Sequence, residues 1–311
     1  MRAHICFAVA GVLFLACVAA PVAVWSGVTA EQANAAHKRA YDLGEPDVEV
    51  IKARLAAGQF GEIEAEYKEL LELYFADVNY GWRFEEAYDL FHPDNDMRME
   101  WLDAWVEATG SYMAYGARGL LKKNLGNEAR GGAWASDTSK EQFESAGEYH
   151  ASALEDLMKA LDEEPRCLPL YSALFNIAMI SGIGFNPDDV VQSVLEIDNR
   201  NYQVREDYMR SQLPRWGGSY EKMTEFAKAS LAFVDLNPRL LTLAGAIPAD
   251  AAWYYKREGD LDRAIALYTE ALKFGDHVDV LQERAECYVE IDELDKALYK
   301  HFGIIGPPSI M

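Results

Sequence analysis

Basic residues are scarce in this sequence, and so are the patterns that carry most enzyme chemistry. The 311-residue chain has 29 Lys and Arg against 51 Asp and Glu, a formal net charge of −22. A surplus of that size excludes a broad basic face, and with it binding to nucleic acid or to an anionic membrane through such a face. Only four cysteines occur, and no two stand as Cys-x-x-Cys, so neither a thioredoxin-type redox pair nor a cysteine zinc knuckle is available. The six histidines, at 4, 37, 92, 150, 277 and 301, show no three- or four-residue pairing of the kind zinc sites use. No segment alternates apolar and polar residues strongly enough to be read as a strand. Disorder is excluded too, because 50% of the residues are hydrophobic and 12% aromatic.

What is present starts with an export signal. Arg2 and His4 precede an uncharged apolar run from Ile5 to Trp25, and Val28-Thr29-Ala30 supplies a small-x-small ending. This is the form of a secretory leader cleaved after Ala30. The run is 21 residues long, enough to span a bilayer if it is retained as an anchor, although Pro21 suits a leader better. Phe14-Leu15-Ala16-Cys17 loosely matches a lipoprotein box, but a Phe opens it and apolar residues follow the cysteine. Membrane contact is expected only through this segment, if uncleaved. Beyond it remain Cys167 and Cys287, 120 residues apart. Helical layers of about 8–10 Å each separate them further than the ~7 Å a disulfide tolerates, so no bridge is expected.

The rest reads as helix. Val48, Ile51 and Leu55, then Ile63, Tyr67, Leu70, Leu71 and Tyr74, recur at three- and four-residue steps, with Glu62, Glu64, Glu66 and Glu69 at exposed positions between the latter. A short helix through Phe84 and Tyr88 is stopped by His92-Pro93, and one through Trp101 and Trp105 ends at Gly110. Tyr112, Tyr115, Gly116 and Gly119 mark a small-residue helix suited to close packing. Residues 124–139 form the one sizeable break, and Ser139 with Gln142 has the spacing of a capping box.

After the break a helix-ending phrase recurs: Ala160-Leu-Asp-Glu-Glu-Pro165, Val194-Leu-Glu-Ile-Asp-Asn199, Phe233-Val-Asp-Leu-Asn-Pro238 and Ala271-Leu-Lys-Phe-Gly-Asp276, at spacings of 34, 39 and 38 residues. Spacings of this size mark helical-hairpin repeats, each needing neighbours to bury its apolar face. Ala252, Tyr255, Gly259, Ala264, Tyr268 and Ala271 resemble a tetratricopeptide repeat. Alanines let two helices approach, tyrosines fill the wedges and Gly259 makes the turn. The pattern restarts with Ala285, Tyr288 and Ala297. The expected fold is all-α, a tetratricopeptide-like helical-hairpin solenoid with a helical N-terminal portion. Its parts are a leader or anchor at 1–30, an N-terminal helical region at 31–135, repeats at 136–301 and an irregular tail at 302–311.

Two stretches carry a more specific likeness. One runs from Trp105 through Ser111-Tyr-Met-Ala-Tyr115 to Arg118-Gly119, with Arg130-Gly131 after it. The other is Pro214-Arg-Trp-Gly-Gly-Ser219, followed by Met223 and Phe226-Ala227. With Asn237-Pro-Arg-Leu240 they resemble a bacterial family of tetratricopeptide-like proteins known as a domain of unknown function, over roughly residues 50–276. Gly110 stands where that pattern has Pro. The resemblance implies a helical-repeat fold and no reaction.

Four residues stand out as partner-binding candidates: Arg118, Arg130, Arg215 and Trp216. Arg215 and Trp216 are residue types that dominate binding hot spots. The same block also reads structurally, with Pro214 ending a helix, the glycines turning the chain and Ser219 capping the next helix. Arg118 and Arg130 suit a carboxylate or phosphate clamp, or plain pairing with neighbouring acids. Asp94-Asn95-Asp96 with Glu100 reads as an acidic helix start rather than a calcium loop, lacking the Gly and the twelfth-position Glu. The tail phrase Gly-Pro307-Pro308 has the look of a cis-proline loop without its domain. The expectation is a non-enzymatic, exported interaction scaffold of the bacterial cell envelope, periplasmic or anchored facing the periplasm, with a protein or peptide partner and no cofactor or metal. The alternative is an enzyme or ligand-binding protein whose site is built between helices from acids and aromatics such as Tyr112, Tyr115, Trp134 and Trp216.

Overall fold

Glycines at positive φ end several of the helices, and small residues within them decide how closely neighbours pack. The computed structural model describes residues 27–182 and 185–301; the leader's apolar run and the Gly-Pro-Pro tail lie outside them. Among the described residues there are 15 α-helices and no strand, so the chain is all-α. None of these helices is long and apolar enough to cross a membrane. The first, α1 (Ala30–Asp42), is capped by Thr29, which exchanges hydrogen bonds with Gln32. The chain divides into two units, one of residues 40–211 and one combining the residues up to Arg39 with those from Gln212 onward.

The first unit holds α2 (Val48–Ala56), α3 (Phe60–Ala76), α4 (Gly81–Asp89), α5 (Met99–Thr109), α6 (Tyr112–Arg130), α7 (Lys140–Glu163), α8 (Pro169–Ser181), α9 (Pro187–Ile197) and α10 (Gln203–Ser211). Its early helices bury an aromatic core. Tyr67 meets Tyr88 edge-on with ring centroids 5.1 Å apart, Tyr74 stacks on Phe84 at 5.4 Å, and Phe91 and Trp105 approach to 6.2 Å. Such pairs contribute about 0.5–1.5 kcal/mol each beyond area burial. Their polar ends are satisfied: Tyr67 donates to the Ala87 carbonyl, and Tyr74 to Asp198 Oδ2 at 2.7 Å. Glu64, expected to face solvent, is only partly exposed because it accepts from Trp105 Nε1 at 3.0 Å and from the Ser111 hydroxyl.

Helices α6 and α7 pack along each other more extensively than any other pair. The reason is a glycine row on α6. A methyl at Gly119 would lie 2.9 Å from Leu157 Cγ on α7, while one at Gly116 would lie 3.1 Å from Leu170 Cδ1 on α8. The break expected at 124–139 is shorter than the sequence suggests. Asn124-Leu-Gly-Asn127 continues α6, because Asn124 donates to the Phe91 carbonyl at 3.0 Å and Gly126 makes room for His150. Gly131, at φ 73°, ends the helix, and Ser139 opens α7 with the anticipated capping box.

In the other unit lie α11 (Tyr220–Ser230), a 3-10 segment (Pro238–Gly245), α12 (Ala246–Arg257), α13 (Leu261–Ala271), α14 (Val278–Glu290) and α15 (Leu294–His301). Gly259, at φ 80°, turns α12 into α13, and Ala252, Ala264, Tyr268 and Cys287 form a shared core with Tyr255 packed against it. Helix α1 joins this unit through Asn34, whose carboxamide bonds Asp276 on both its side chain and its backbone N–H. Cys167 and Cys287 are both buried free thiols.

Candidate functional site

Three of the four residues singled out in the sequence are committed to internal contacts. Arg118 grips the buried Asp156 at two points, Nε to Oδ2 at 2.8 Å and Nη2 to Oδ1 at 2.7 Å, and reaches Asp103 at 3.0 Å. Lys122, one turn on, adds a 2.7 Å bond to Asp156. Burial pushes the Asp156 carboxyl up, but the bonds from Arg118 and Lys122 outweigh it and hold it below the ordinary range. Arg130 braces the turn after α6, donating to the carbonyls of Gly131 and Ala133. Arg215 pairs with the buried Asp250, which also accepts from Tyr220 Oη at 2.7 Å.

Trp216 is different, being 41% exposed. The block around it is built for its shape: Gly217 takes φ 92°, a Cβ at Gly218 would collide with the Gln212 backbone, and Ser219 caps α11 by accepting from the Lys222 N–H. The Arg215 guanidinium lies 4.8 Å from the Trp253 ring centroid, and Arg257 lies 4.8 Å from the same ring. Trp253 in turn meets the exposed Tyr254 edge-on at 5.2 Å. Guanidinium and aromatic groups are thus concentrated on one patch of an acidic chain. Of the other aromatics, Tyr112 is buried, Tyr115 is covered by Arg118 and Lys159, and Trp134 is 48% exposed.

A second arrangement arises where α4, α6, α8 and α10 meet. Each of α4, α6 and α8 packs against the next in that series, and α4 also packs against α8 and α10. Asp89 ends α4, Lys123 lies on α6, Ser172 on α8 and Asp207 on α10. Lys123 is within electrostatic reach of both Asp89 and Asp207, and the two acids are within reach of each other. Burial pushes the Asp207 carboxyl up to about 6, with the Ser172 hydroxyl and Arg210 restraining it and Glu206 and Asp89 adding to it. Burial also raises Asp89 and lowers Lys123. By surface area Asp89 is exposed, and Lys123 and Asp207 are partly exposed.

Beside these charged groups runs a buried polar chain. His150, fully buried, holds the Ser181 hydroxyl with Nδ1, while Nε2 contacts Asn127 Oδ1 at 3.1 Å and the Lys123 carbonyl at 3.2 Å. Asn127 donates onward to Asn176 Oδ1 at 2.9 Å. Burial lowers the His150 pKa, so the ring is neutral; Nε2–H donates to the two oxygens and Nδ1 accepts from Ser181. The order Ser–His–Asn is that of a hydrolase relay, but the setting is wrong for one. Ser181 is the last residue of α8, where unpaired carbonyls face outward, the opposite of the N–H donors an oxyanion requires. The chain ties α6, α7 and α8 together.

No family model matches the sequence, and no curated protein matches it. The charged cluster of Asp89, Lys123 and Asp207 escapes sequence reading because its members are spread from position 89 to position 207 with no motif linking them. One signal is available: Gly116, Gly119, Lys123 and Gly126 fall at helical steps on a single row of α6, which turns the lysine toward the helices those glycines admit. Among the described residues no His, Cys, Asp or Glu group is arranged to hold a metal ion.

Proposed function

We propose that the chain is a non-enzymatic, tetratricopeptide-like helical-repeat scaffold, exported to the cell envelope, that docks a protein or peptide partner. Two features support the repeat reading. In residues 40–211 alternate helices pack on one another, the arrangement stacked hairpins produce, and α12 to α14 repeat it on a smaller scale. The Ala252, Ala264 and Tyr268 core sits where a tetratricopeptide hairpin places its small and wedge residues. The resemblance to the bacterial family with the Pro-Arg-Trp-Gly-Gly-Ser block points the same way.

The observation that carries the docking reading is exposed Trp216 beside an Arg215 fixed by Asp250 and stacked on Trp253. A rigid aromatic and guanidinium anchor of this kind loses little freedom on binding, so it serves as a hot spot. A photo-crosslinking side chain placed at position 216, with position 134 as an exposed control, tests this in cells. The expected result is a discrete adduct from 216 alone. No adduct, or the same adducts from both positions, defeats the reading. Export is tested separately by a compartment-sensitive reporter fused after Pro46, which is expected to be active only outside the cytoplasm.

A further inference from the structure

The residues that suggest a leader cleavage site also build the start of the first helix. Thr29 Oγ1 accepts from the Gln32 N–H at 3.3 Å, and Gln32 Oε1 accepts from the Thr29 N–H at 2.8 Å. These two bonds make a reciprocal capping box, as Thr-x-x-Gln allows. The Thr29 carbonyl then accepts from the Ala33 N–H at 3.1 Å, the first bond of the helix. Val28 and Ala33 stand at the two positions of a hydrophobic staple, and they are 8% and 0% exposed. Ala30 opens α1, where alanine has the best helix propensity of any residue. Each member of Val28-Thr29-Ala30 thus has a place in the fold that accounts for its residue type.

The helix so started is fastened to the rest of its unit. Ala33 and Ala36 are buried on one side of α1. Asn34 Nδ2 donates to Asp276 Oδ2 at 2.7 Å, and Asn34 Oδ1 accepts from the Asp276 N–H at 2.6 Å. Gly275 makes this approach possible: a Cβ there would lie 2.8 Å from Thr242 Cγ2 and 3.2 Å from Ala33 Cβ.

We infer that Val28, Thr29 and Ala30 belong to the mature domain, so that the leader is not cut after Ala30 and any cut lies before Val28. The inference rests on the export reading only for there being a leader to cut. Leaders are removed before the chain folds, so burial does not shield the bond. What matters is what a cut chain would lack. It would begin at Glu31 with no cap, no acceptor for the Ala33 N–H and no Val28. Its new α-ammonium would also sit at the positive end of the helix that holds Asn34 against Asp276. The small-x-small pattern is then a by-product of a capping box and a staple.

The test uses the full chain expressed in bacterial cells, with the N-terminus of the purified protein read by intact mass and N-terminal sequencing. The expected N-terminus lies at or before Val28; a chain beginning at Glu31 overturns the inference. Two variants of the full chain separate cap from cleavage site. Thr29→Ala leaves the small-x-small pattern intact and removes the cap, and it is expected to lower the melting temperature of the purified protein by about 2–4 °C. A protein cut after Ala30 no longer contains position 29, so an unchanged melting temperature overturns the inference. Ala30→Leu spoils the pattern but keeps a good helix former, and it is expected to leave the position of the N-terminus unchanged. Accumulation of a longer, uncut form in that variant overturns the inference as well. A chain that starts at Met1, is destabilised by Thr29→Ala and leaves the compartment reporter silent defeats the export reading while this inference stands.

Discussion

The imidazole of His150 occupies the space that a side chain at Gly126 would need. A Cβ built there lies 2.5 Å from His150 Nε2, the atom that bonds Asn127 and the Lys123 carbonyl. Gly126→Ala therefore forces the ring off its partners and leaves buried polar groups unmet, at a cost of about 2–4 kcal/mol. Gly147, in the middle of α7 with nothing within 4 Å, is the matched control. There Ala is expected to raise stability by about 0.5–1 kcal/mol. Urea unfolding of the two variants checks both signs.

Asp207, taken alone, contributes less stability at neutral pH than in mild acid. Its folded-state pKa of about 6 lies above the ~3.9 of an unfolded aspartate, so the folded state binds the proton more tightly. The stability this confers is complete below about pH 4, declines as pH rises to about 6, and is gone above it. Asp207→Asn is expected to stabilise the free protein at pH 7 by about 2–3 kcal/mol and to be close to neutral at pH 4. Thermal unfolding at the two pH values tests this; a variant less stable at pH 7 contradicts it.

Asp156 behaves in the opposite sense. Its carboxylate is depressed, so its contribution is present above the unfolded value near ~3.9 and is lost as pH falls through the lower folded one. Asp156→Ala leaves Arg118 and Lys122 without their shared partner and is expected to cost about 3 kcal/mol or more at pH 7. The gap between wild type and variant should narrow in strong acid, which acid-unfolding curves would display.

Arg215 and Trp216 are adjacent but should separate cleanly. Arg215→Ala removes the cation paired with the buried Asp250, leaving it the Tyr220 hydroxyl, and takes one of two guanidinium groups from Trp253, and a loss of about 2–4 kcal/mol is expected. Trp216→Ala should change stability by less than about 1 kcal/mol, because its side chain is largely outside the core. If Trp216→Ala unfolds the protein, its exposure is serving structure and not a partner.

Helix content, the glycine stops and the caps at Ser139 and Ser219 are all legible in the sequence, because each depends on residues a few positions apart. So is the Ala252–Tyr268 hairpin core, whose spacing is its own evidence. Glu64 reads as exposed from the sequence because its partners, Trp105 and Ser111, lie 41 and 47 residues further on. The run from Asn124 to Asn127 reads as loop because polar residues and Gly have low helix propensity. What keeps it helical is Phe91 and His150, neither of which is near in sequence. Arg118 stands out in the sequence for its charge, yet the acid that defines its role, Asp156, is 38 residues away. The cluster of Asp89, Lys123 and Asp207 is hidden for the same reason on a larger scale.

Eight residues, Pro238–Gly245, wind as 3-10 helix and are almost wholly buried. At three residues per turn, Arg239, Thr242 and Gly245 form one column, Leu240 and Leu243 a second, and Leu241 and Ala244 a third. A wheel drawn at 100° per residue scatters these columns, whereas one drawn at 120° separates polar from aliphatic at a glance. Substitution tolerance along this stretch should consequently beat with a period of three, and inserting a single residue would rotate every later side chain by a third of a circle into the wrong neighbour.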